Sequence, residues 1–435
     1  MIFSAIVIAV TIAVLLFFII TDKRIKIGKK SLGLYCLVPL IGAVVLAIGG
    51  RLPLNELADY FVSHTAVNPI KILSLFLSMT VFSVVLDEAG FFTYVANLAV
   101  GKSGSDQRRL FFIIYLTVAV LTVFTSNDVV ILTVTPFVIA FCRQADCNPI
   151  PHLLLEFVTA NTWSMLLVIG NPTNIYVASA FGITFLEYLA TMVLPTLAGG
   201  IASCAVVYVL FRKSLAKPMS PEKTECKLKD KPLAVIAGVH LAVCVVLLAV
   251  SNLLKIEMWL ISVSLALLLI VCTLIYLAAR RKPFSPLTNS LKRLPYEIIP
   301  FVVGMFAIVL VVGREGWCER IYRLFENFNP VFAYGFGTAI CSNLINNIPA
   351  TVLFSQVLTS CATQVESLSA AVYATIAGSN VGAYLTPVGA LAGIMWHNIL
   401  SHSGVKLSFG KFCLYGVTVA IPTLAATLIV LALVV

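Results

Sequence analysis

Apolar runs near the ~20 residues that a helix needs to cross a bilayer recur along the chain between short polar loops. Eight are uninterrupted: 1–20, 32–49, 70–85, 185–211, 232–250, 258–279, 298–312 and 412–435. Two more, 152–181 and 368–400, carry polar breaks, which makes ten crossings. The segments 110–142 and 330–361 are helical pairs that enter and return around a polar tip. The pattern predicts an all-α polytopic membrane protein with about ten transmembrane helices, two re-entrant helical hairpins and two broken helices.

Polar groups at membrane depth are costly when unpaired, and irregular backbone survives there only where protein or a water-filled cavity surrounds it. Between LFFIIYLTVAVLTVF and VVILTVTPFVIAFC stands the first tip, Thr125-Ser126-Asn127-Asp128. The second tip, Ser342-Asn343-Leu344-Ile345-Asn346-Asn347-Ile348-Pro349, sits between apolar arms in the other half. The broken spans are interrupted at Gly170-Asn171-Pro172-Thr173-Asn174 and at Gly378-Ser379-Asn380-Val381-Gly382, the latter followed by Thr386-Pro387-Val388-Gly389.

The order of elements repeats. Segments 32–49 and 70–85 lead into an amphipathic piece at 87–100, a hairpin, a broken span and a long span; from residue 258 the series recurs, with its amphipathic piece at 314–327. The entries to these pieces correspond, VVLDEAGFF against LVVGREGWC. The second copy starts on the opposite side, so the repeats are expected to have inverted topology about an axis in the membrane plane. The chain then divides into an extra N-terminal helix and loop (1–31), a first repeat (32–211), a charged linker with an extra helix (212–257) and a second repeat (258–435).

Composition agrees: of 435 residues 60% are hydrophobic and 11% charged, which excludes an ordinary soluble domain. Residues 1–20 have no basic n-region before them and no small-residue cleavage site after them, so a retained span is expected rather than a signal peptide. The net charge of +10 sits in short loops and implies no nucleic acid. Placing the loops 21–31, 101–109, 212–231 and 280–293 with Arg143, Lys406 and Lys411 on the inside puts 23 basic residues there and six outside. Both termini are then outside and the linker inside.

Four breaks meeting near the midplane would form a pocket of carboxamides and hydroxyls: Ser126, Asn127, Asn171, Thr173, Asn174, Ser342, Asn343, Asn346, Asn347, Ser379 and Asn380. Asp128, ionisable at membrane depth, is the candidate for ion coupling. Asp87, Glu88 and Glu315 read as interface residues or caps, and His152 and His397 as solvated at span ends. Eleven scattered cysteines without a C-x-x-C pair read as small hydrophobes, with no metal site or disulfide framework expected. Cys341 beside the second tip is a candidate soft ligand, with packing as its ordinary role.

LDEAGFF at 86–92, SNDVVILTVTPFVIA at 126–140, SNLINNIPATVL at 342–353 and GAYLTPVGALAGIMW at 382–396 resemble the bacterial arsenite and antimonite efflux permeases of the ion transporter superfamily. The resemblance runs through nearly the whole chain. It implies a secondary transporter of the inner membrane that extrudes undissociated arsenite and its antimony counterpart by proton antiport. Divalent-anion/sodium symporters of the same superfamily carry Ser-Asn-Thr at both tips. Here Asp128 replaces that Thr, which favours a neutral solute, whereas GNPTN at 170–174 is closer to the symporter style. A sodium-coupled carrier for an organic or inorganic anion, or a sodium/proton antiporter, is the alternative.

No H-E-x-x-H, G-x-S-x-G or phosphate-binding G-x-x-x-x-G-K-[ST] occurs, so neither an intramembrane enzyme nor an ATPase is expected, and no cofactor. Expected partners are membrane lipid and a small inorganic solute; a soluble ATPase subunit on the basic loops and a second copy of the chain are further candidates.

Overall fold

Helices of this chain are apolar outside as well as inside. Val235, Val239, Val243 and Val246 lie on one face of helix Lys231–Ala249 and are exposed, while Leu233, Ala237, Leu241, Cys244 and Leu248 are buried. An exposed valine stripe opposite a buried one is stable against lipid and not against water. The computed structural model describes residues 1–21, 23–27, 30–52, 54–62, 68–220 and 228–435. Residues 221–227, within the stretch expected to be a linker, lie outside the described residues.

Among the described residues seven helices are long and apolar enough to cross a membrane: Ile2–Thr21, Pro69–Glu88, Gln107–Phe124, Phe185–Leu215, Lys231–Ala249, Met258–Ala279 and Phe409–Val434. An eighth arises if Ile298–Arg314 and Trp317–Phe325, bent by 80°, count as one span. Gln107–Phe124 is a hairpin arm that is long enough to cross by itself. The remaining expected crossings are shorter helices, Val38–Ile48 and the two broken spans. The fold is thus an all-α polytopic one. The departure among the described residues is a pair of four-residue antiparallel strands, Arg24–Ile27 and Lys30–Gly33, tied to Glu297 at the end where Arg24 faces Gly33.

The first hairpin consists of Gln107–Phe124 and Asn127–Gln144, turning at Thr125 and Ser126. The second consists of Pro330–Ile345 and Asn347–Ser360 and turns at Asn346, whose φ of +76° is strained for a residue with a side chain. The first broken helix is Ile150–Trp163, then a short 3-10 turn Val168–Gly170, then Pro172–Ala180. The second is Leu368–Gly382 and Leu391–His402. Gly90 and Gly316, at corresponding entries to the short amphipathic helices Phe91–Val100 and Trp317–Phe325, take φ of +80° and +74°. A left-handed residue at each turn explains why glycine stands in both.

Two expectations are corrected. Gly378–Gly382 does not interrupt its helix; the break falls at 383–390, around Pro387. The glycines serve close packing instead. A Cβ on Gly378 would stand 2.2 Å from the Gly335 carbonyl oxygen, and one on Gly382 2.7 Å from the Ala339 Cα. Neither histidine is freely solvated: His152 is fully buried, because Ile150–Trp163 is enclosed by neighbouring helices over nearly its whole length, and His397 is half-buried against the Leu407 carbonyl.

The basic loops assigned together gather on one face. Arg24 pairs with Glu297, Arg293 with Asp87 and Glu88, and Lys282 with Asp230. The Asp230 amide donates to the Ala89 carbonyl, that of Met219 to Ser105, and that of Ser220 to Ala145, while Arg143 reaches the Ser403 carbonyl. Glu315 is bonded elsewhere, by the Ser4 hydroxyl and the Met1 amino group.

Candidate substrate site

A cavity of about 840 Å³ is lined by all four interruptions: Ser126, Asn127 and Asp128 from the first tip, Asn347 and Ile348 from the second, Asn171 and Pro172 from the first break, Ala390 and Ala392 from the second. Each contribution comes from the start of a helix, namely Asn127–Gln144, Asn347–Ser360, Pro172–Ala180 and Leu391–His402. Helix N-termini present unpaired amides and about half a positive charge each. The cavity therefore sits at four positive helix ends, some of whose amides are met within the protein: Thr173 by Asn171 Oδ1, Ile348 by Asn346 Oδ1 and Asn347 by the Gly389 carbonyl. Asp128, in the first turn of its helix, supplies the compensating negative charge and makes no ion pair among the described residues.

Two polar atoms of the first tip are unsatisfied. Ser126 Oγ and Asn127 Oδ1 are buried without a hydrogen-bond partner among the described residues, and no side chain caps their helix. Asn127 Nδ2 donates to Asn161 Oδ1 at 3.1 Å, which fixes the amide with its oxygen left over. Buried polar atoms without partners are uncommon in native proteins, and the two residues that carry them line a cavity here.

Most other candidates hold the breaks together. Asn380 Oδ1 accepts from Asn171 Nδ2 at 2.9 Å and Ser164 Oγ at 2.8 Å, while its Nδ2 donates to Asn174 Oδ1 at 2.7 Å. Asn174 in turn donates to the Ser164 and Leu167 carbonyls, and Ser379 Oγ donates to Thr173 Oγ1 at 3.2 Å. Asn343 closes the second break, its Oδ1 accepting from the Thr386 amide and hydroxyl and its Nδ2 donating to the Gly382 carbonyl. Asn346 Nδ2 reaches the Val388 carbonyl at 3.3 Å, and Ser342 Oγ bonds within its own helix to Thr338. Of the twelve expected residues, Ser126, Asn127, Asp128, Asn171 and Asn347 line the cavity; Thr173, Asn174, Ser342, Asn343, Asn346, Ser379 and Asn380 stand behind it. Cys341 is not part of the lining.

The cavity extends to Arg24, Lys292, Arg293 and Glu297 on the basic face. Glu297 accepts from Arg24 at 2.7 Å and Tyr35 Oη at 2.5 Å. Burial disfavours the Arg293 charge, but hydrogen bonds and attraction from Asp87 and Glu88 outweigh it, so the guanidinium is held more firmly protonated than usual.

A family model described as citrate transporter matches residues 16–378 of the chain. The chain belongs to that family. An arsenical pump membrane protein of Escherichia coli is 27% identical over 427 residues, covering 96% of this chain and 97% of its own. A second, from E. coli strain K12, is 28% identical over 372 residues, covering 82% and 85%. Among solved structures the YdaH transporter of Alcanivorax borkumensis superposes with a TM-score of 0.57 at 13% identity, covering 99% of this chain and 97% of that one. MtrF of Neisseria gonorrhoeae superposes at 0.51 with 14% identity, covering 98% and 94%. At these identities the two share the fold alone. This citrate transporter family member is a multi-span membrane protein and a secondary transporter, in line with the transport proteins it matches.

Three polar residues of this transporter escaped the sequence patterns. Asn161 and Ser164 lie just ahead of the first break, in helix or turn, where they read as ordinary helix residues. Glu156 is wholly buried, its two carboxylate oxygens each accepting from Thr135 Oγ1 at 3.0 Å and one from Trp396 Nε1 at 3.3 Å. The signal was available: one acidic residue within HLLLEFV, inside a predicted span.

Proposed function

We propose that this protein exports trivalent arsenic and antimony, as neutral hydroxides, across a bacterial inner membrane in exchange for protons. Asp128 is the coupling carboxylate, and inverted repeats alternate access to the site. The observation that carries this reading is that Asp128, without an ion pair among the described residues, and Asn127, whose Oδ1 has no partner among them, line one cavity together with the starts of four helices. A trihydroxide donates three O–H groups and accepts on the same oxygens, so it can use both kinds of group. A polycarboxylate can use only the donors and is repelled by ionised Asp128. The arsenical pump relatives support the same solute.

In this reading the basic face is cytoplasmic, both termini are outside, and the cavity is open inward. That face would also receive a soluble ATPase subunit where one is used, and a second copy would pack through the lipid-facing surface.

Everted membrane vesicles test the proposal. Arsenite uptake driven by a pH gradient is expected for the wild type and lost in Asp128→Asn at unchanged membrane insertion; unchanged uptake in that variant removes the coupling role. The second reading is a sodium-coupled carrier of an organic anion, which the four helix N-termini and the family description favour. It predicts citrate uptake that disappears when choline replaces sodium.

A further inference from the structure

The end of the first hairpin and the start of the first broken helix carry a cluster that the transport cavity does not use. Cys142 lies in the last turn of Asn127–Gln144, Cys147 in the connection that follows, and His152 in the first turn of Ile150–Trp163. The connection is tight: the Cys147 amide donates to the Cys142 carbonyl at 2.9 Å, and Asp146 takes a φ of +50°. One ligand atom from each of the three residues lies within 4.8 Å of the other two. Cys142 and His152 are buried, while Cys147 is half-exposed. Neither ring nitrogen of His152 has a hydrogen-bond partner among the described residues. An imidazole carries both a donor and an acceptor, and burying both unpaired is a state native proteins avoid.

We propose that Cys142, Cys147 and His152 bind a thiophilic divalent cation, zinc being the member of that class with the matching preference. Two sulfurs and an imidazole form a soft ligand set, and the half-exposed side of Cys147 leaves a fourth, solvent position. A tetrahedral zinc with Zn–S near 2.3 Å places two sulfurs about 3.8 Å apart, so rotamer shifts of an ångström complete the site. On binding, two Zn–S bonds and one Zn–N bond form, both thiol protons leave to solvent, and nothing is oxidised. The two thiolates neutralise the cation, which suits a buried position. The ion staples the helix that begins at Asn127 to the one that carries Asn161, so it fixes the first tip from its far end. The linker is joined to the same turn through the Ser220 amide and the Ala145 carbonyl, 3.0 Å apart.

Cobalt(II), titrated into the full-length protein after purification under reducing conditions and chelator treatment, reads the site directly. One Co²⁺ per chain is expected, with an intense thiolate-to-cobalt band and tetrahedral visible bands that Zn²⁺ abolishes. Cys147→Ser and His152→Ala each weaken binding at least tenfold, and Cys341→Ser, remote from the cluster, leaves it unchanged. A wild-type protein without the thiolate band, which requires no variant to fold, overturns the site, as does a Cys147→Ser protein that binds Co²⁺ with wild-type affinity. Protection of both cysteines from alkylation by arsenite but not by Zn²⁺ also overturns it, in favour of a trivalent metalloid.

Discussion

Asn380 Nδ2 donates to Asn174 Oδ1 at 2.7 Å, and this bond joins the two broken helices across 206 residues of sequence. With Asn171 and Ser164 as donors to its own oxygen, and the Ile376 carbonyl as a second acceptor, Asn380 uses every hydrogen-bonding position of its amide nitrogen and two at its oxygen. The two breaks are thereby one hydrogen-bonded unit, and movement of either must carry the other or break this contact.

Asn380→Leu keeps the volume and removes three of the bonds that join the broken helices, sparing the one from Ser379 to Thr173; Asn171 Nδ2 is left without its partner and Asn174 Oδ1 with only a 3.5 Å contact from Thr173 Oγ1. Such groups cost about 1–3 kcal/mol each, so thermal melting in detergent is expected well below wild type. A variant that melts with the wild type shows that the junction does not hold the breaks together.

Ser126→Ala behaves in the opposite way. Ser126 Oγ has no partner to lose, so the melting temperature should stay within what ~0.5 kcal/mol produces. If the hydroxyl contacts the solute, its loss costs a net ~0.5–1.5 kcal/mol, up to about tenfold in apparent affinity. Concentration dependence of transport in vesicles decides this: wild-type affinity with wild-type stability takes Ser126 out of the site.

How much of this was legible in the sequence follows from the physics of each feature. The tips were readable because Ser126-Asn127-Asp128 and Asn346-Asn347 are polar where every neighbour is apolar, and membrane depth punishes such runs unless a cavity or a partner meets them. The first break was readable from Pro172, which cannot continue a helix as a donor. At the second break, glycine next to serine and asparagine looks the same in sequence whether the backbone unwinds or two helices approach closely. The Gly335 carbonyl against Gly378 and Ala339 against Gly382 distinguish them, and each contact spans 43 positions. The division of carboxamides between lining and scaffold was illegible for a related reason: Asn127 and Asn380 differ in their partners, not in their local sequence. Glu156 was overlooked beside the more numerous asparagines, although its charge is the stronger signal.

Gly378→Ala tests the packing role. The added methyl meets backbone, which has no rotamer to move, and overpacking of this kind costs about 1–3 kcal/mol. Gly238→Ala is the contrast: nothing lies within 4 Å of its Cβ position, it is inside helix Lys231–Ala249, and alanine should stabilise by roughly 0.5–1 kcal/mol. Melting temperatures that move in opposite directions are expected; a fall of neither excludes the close crossing.

Glu156→Ala strips partners from Thr135 and Trp396 and leaves a void, whereas Glu156→Gln keeps an acceptor for both. The alanine variant should lose roughly 3 kcal/mol or more and the glutamine variant much less. Should Gln also flatten the pH dependence of arsenite export at normal stability, Glu156 shares proton coupling with Asp128; an unshifted pH profile leaves it a structural link between the first hairpin and the second broken helix.

Outside the membrane segments, Asp230 sets a pH dependence of stability. Burial raises its pKa, but hydrogen bonds from Lys282, Tyr276 and the Leu233 amide outweigh that, so the folded carboxyl titrates below its ordinary value. A depressed carboxylate contributes stability that is complete above the unfolded value, about 3.9, and is lost only as pH falls through the lower folded value. The difference in melting temperature between wild type and Asp230→Asn should therefore be constant from neutral pH down to about pH 5 and shrink below about pH 4. Lys282 is exposed, so high salt should reduce the difference at neutral pH as well. A difference that grows on acidification would mean that the carboxylate is destabilising in the folded protein and that its bonds to Lys282 and Tyr276 do not offset its burial.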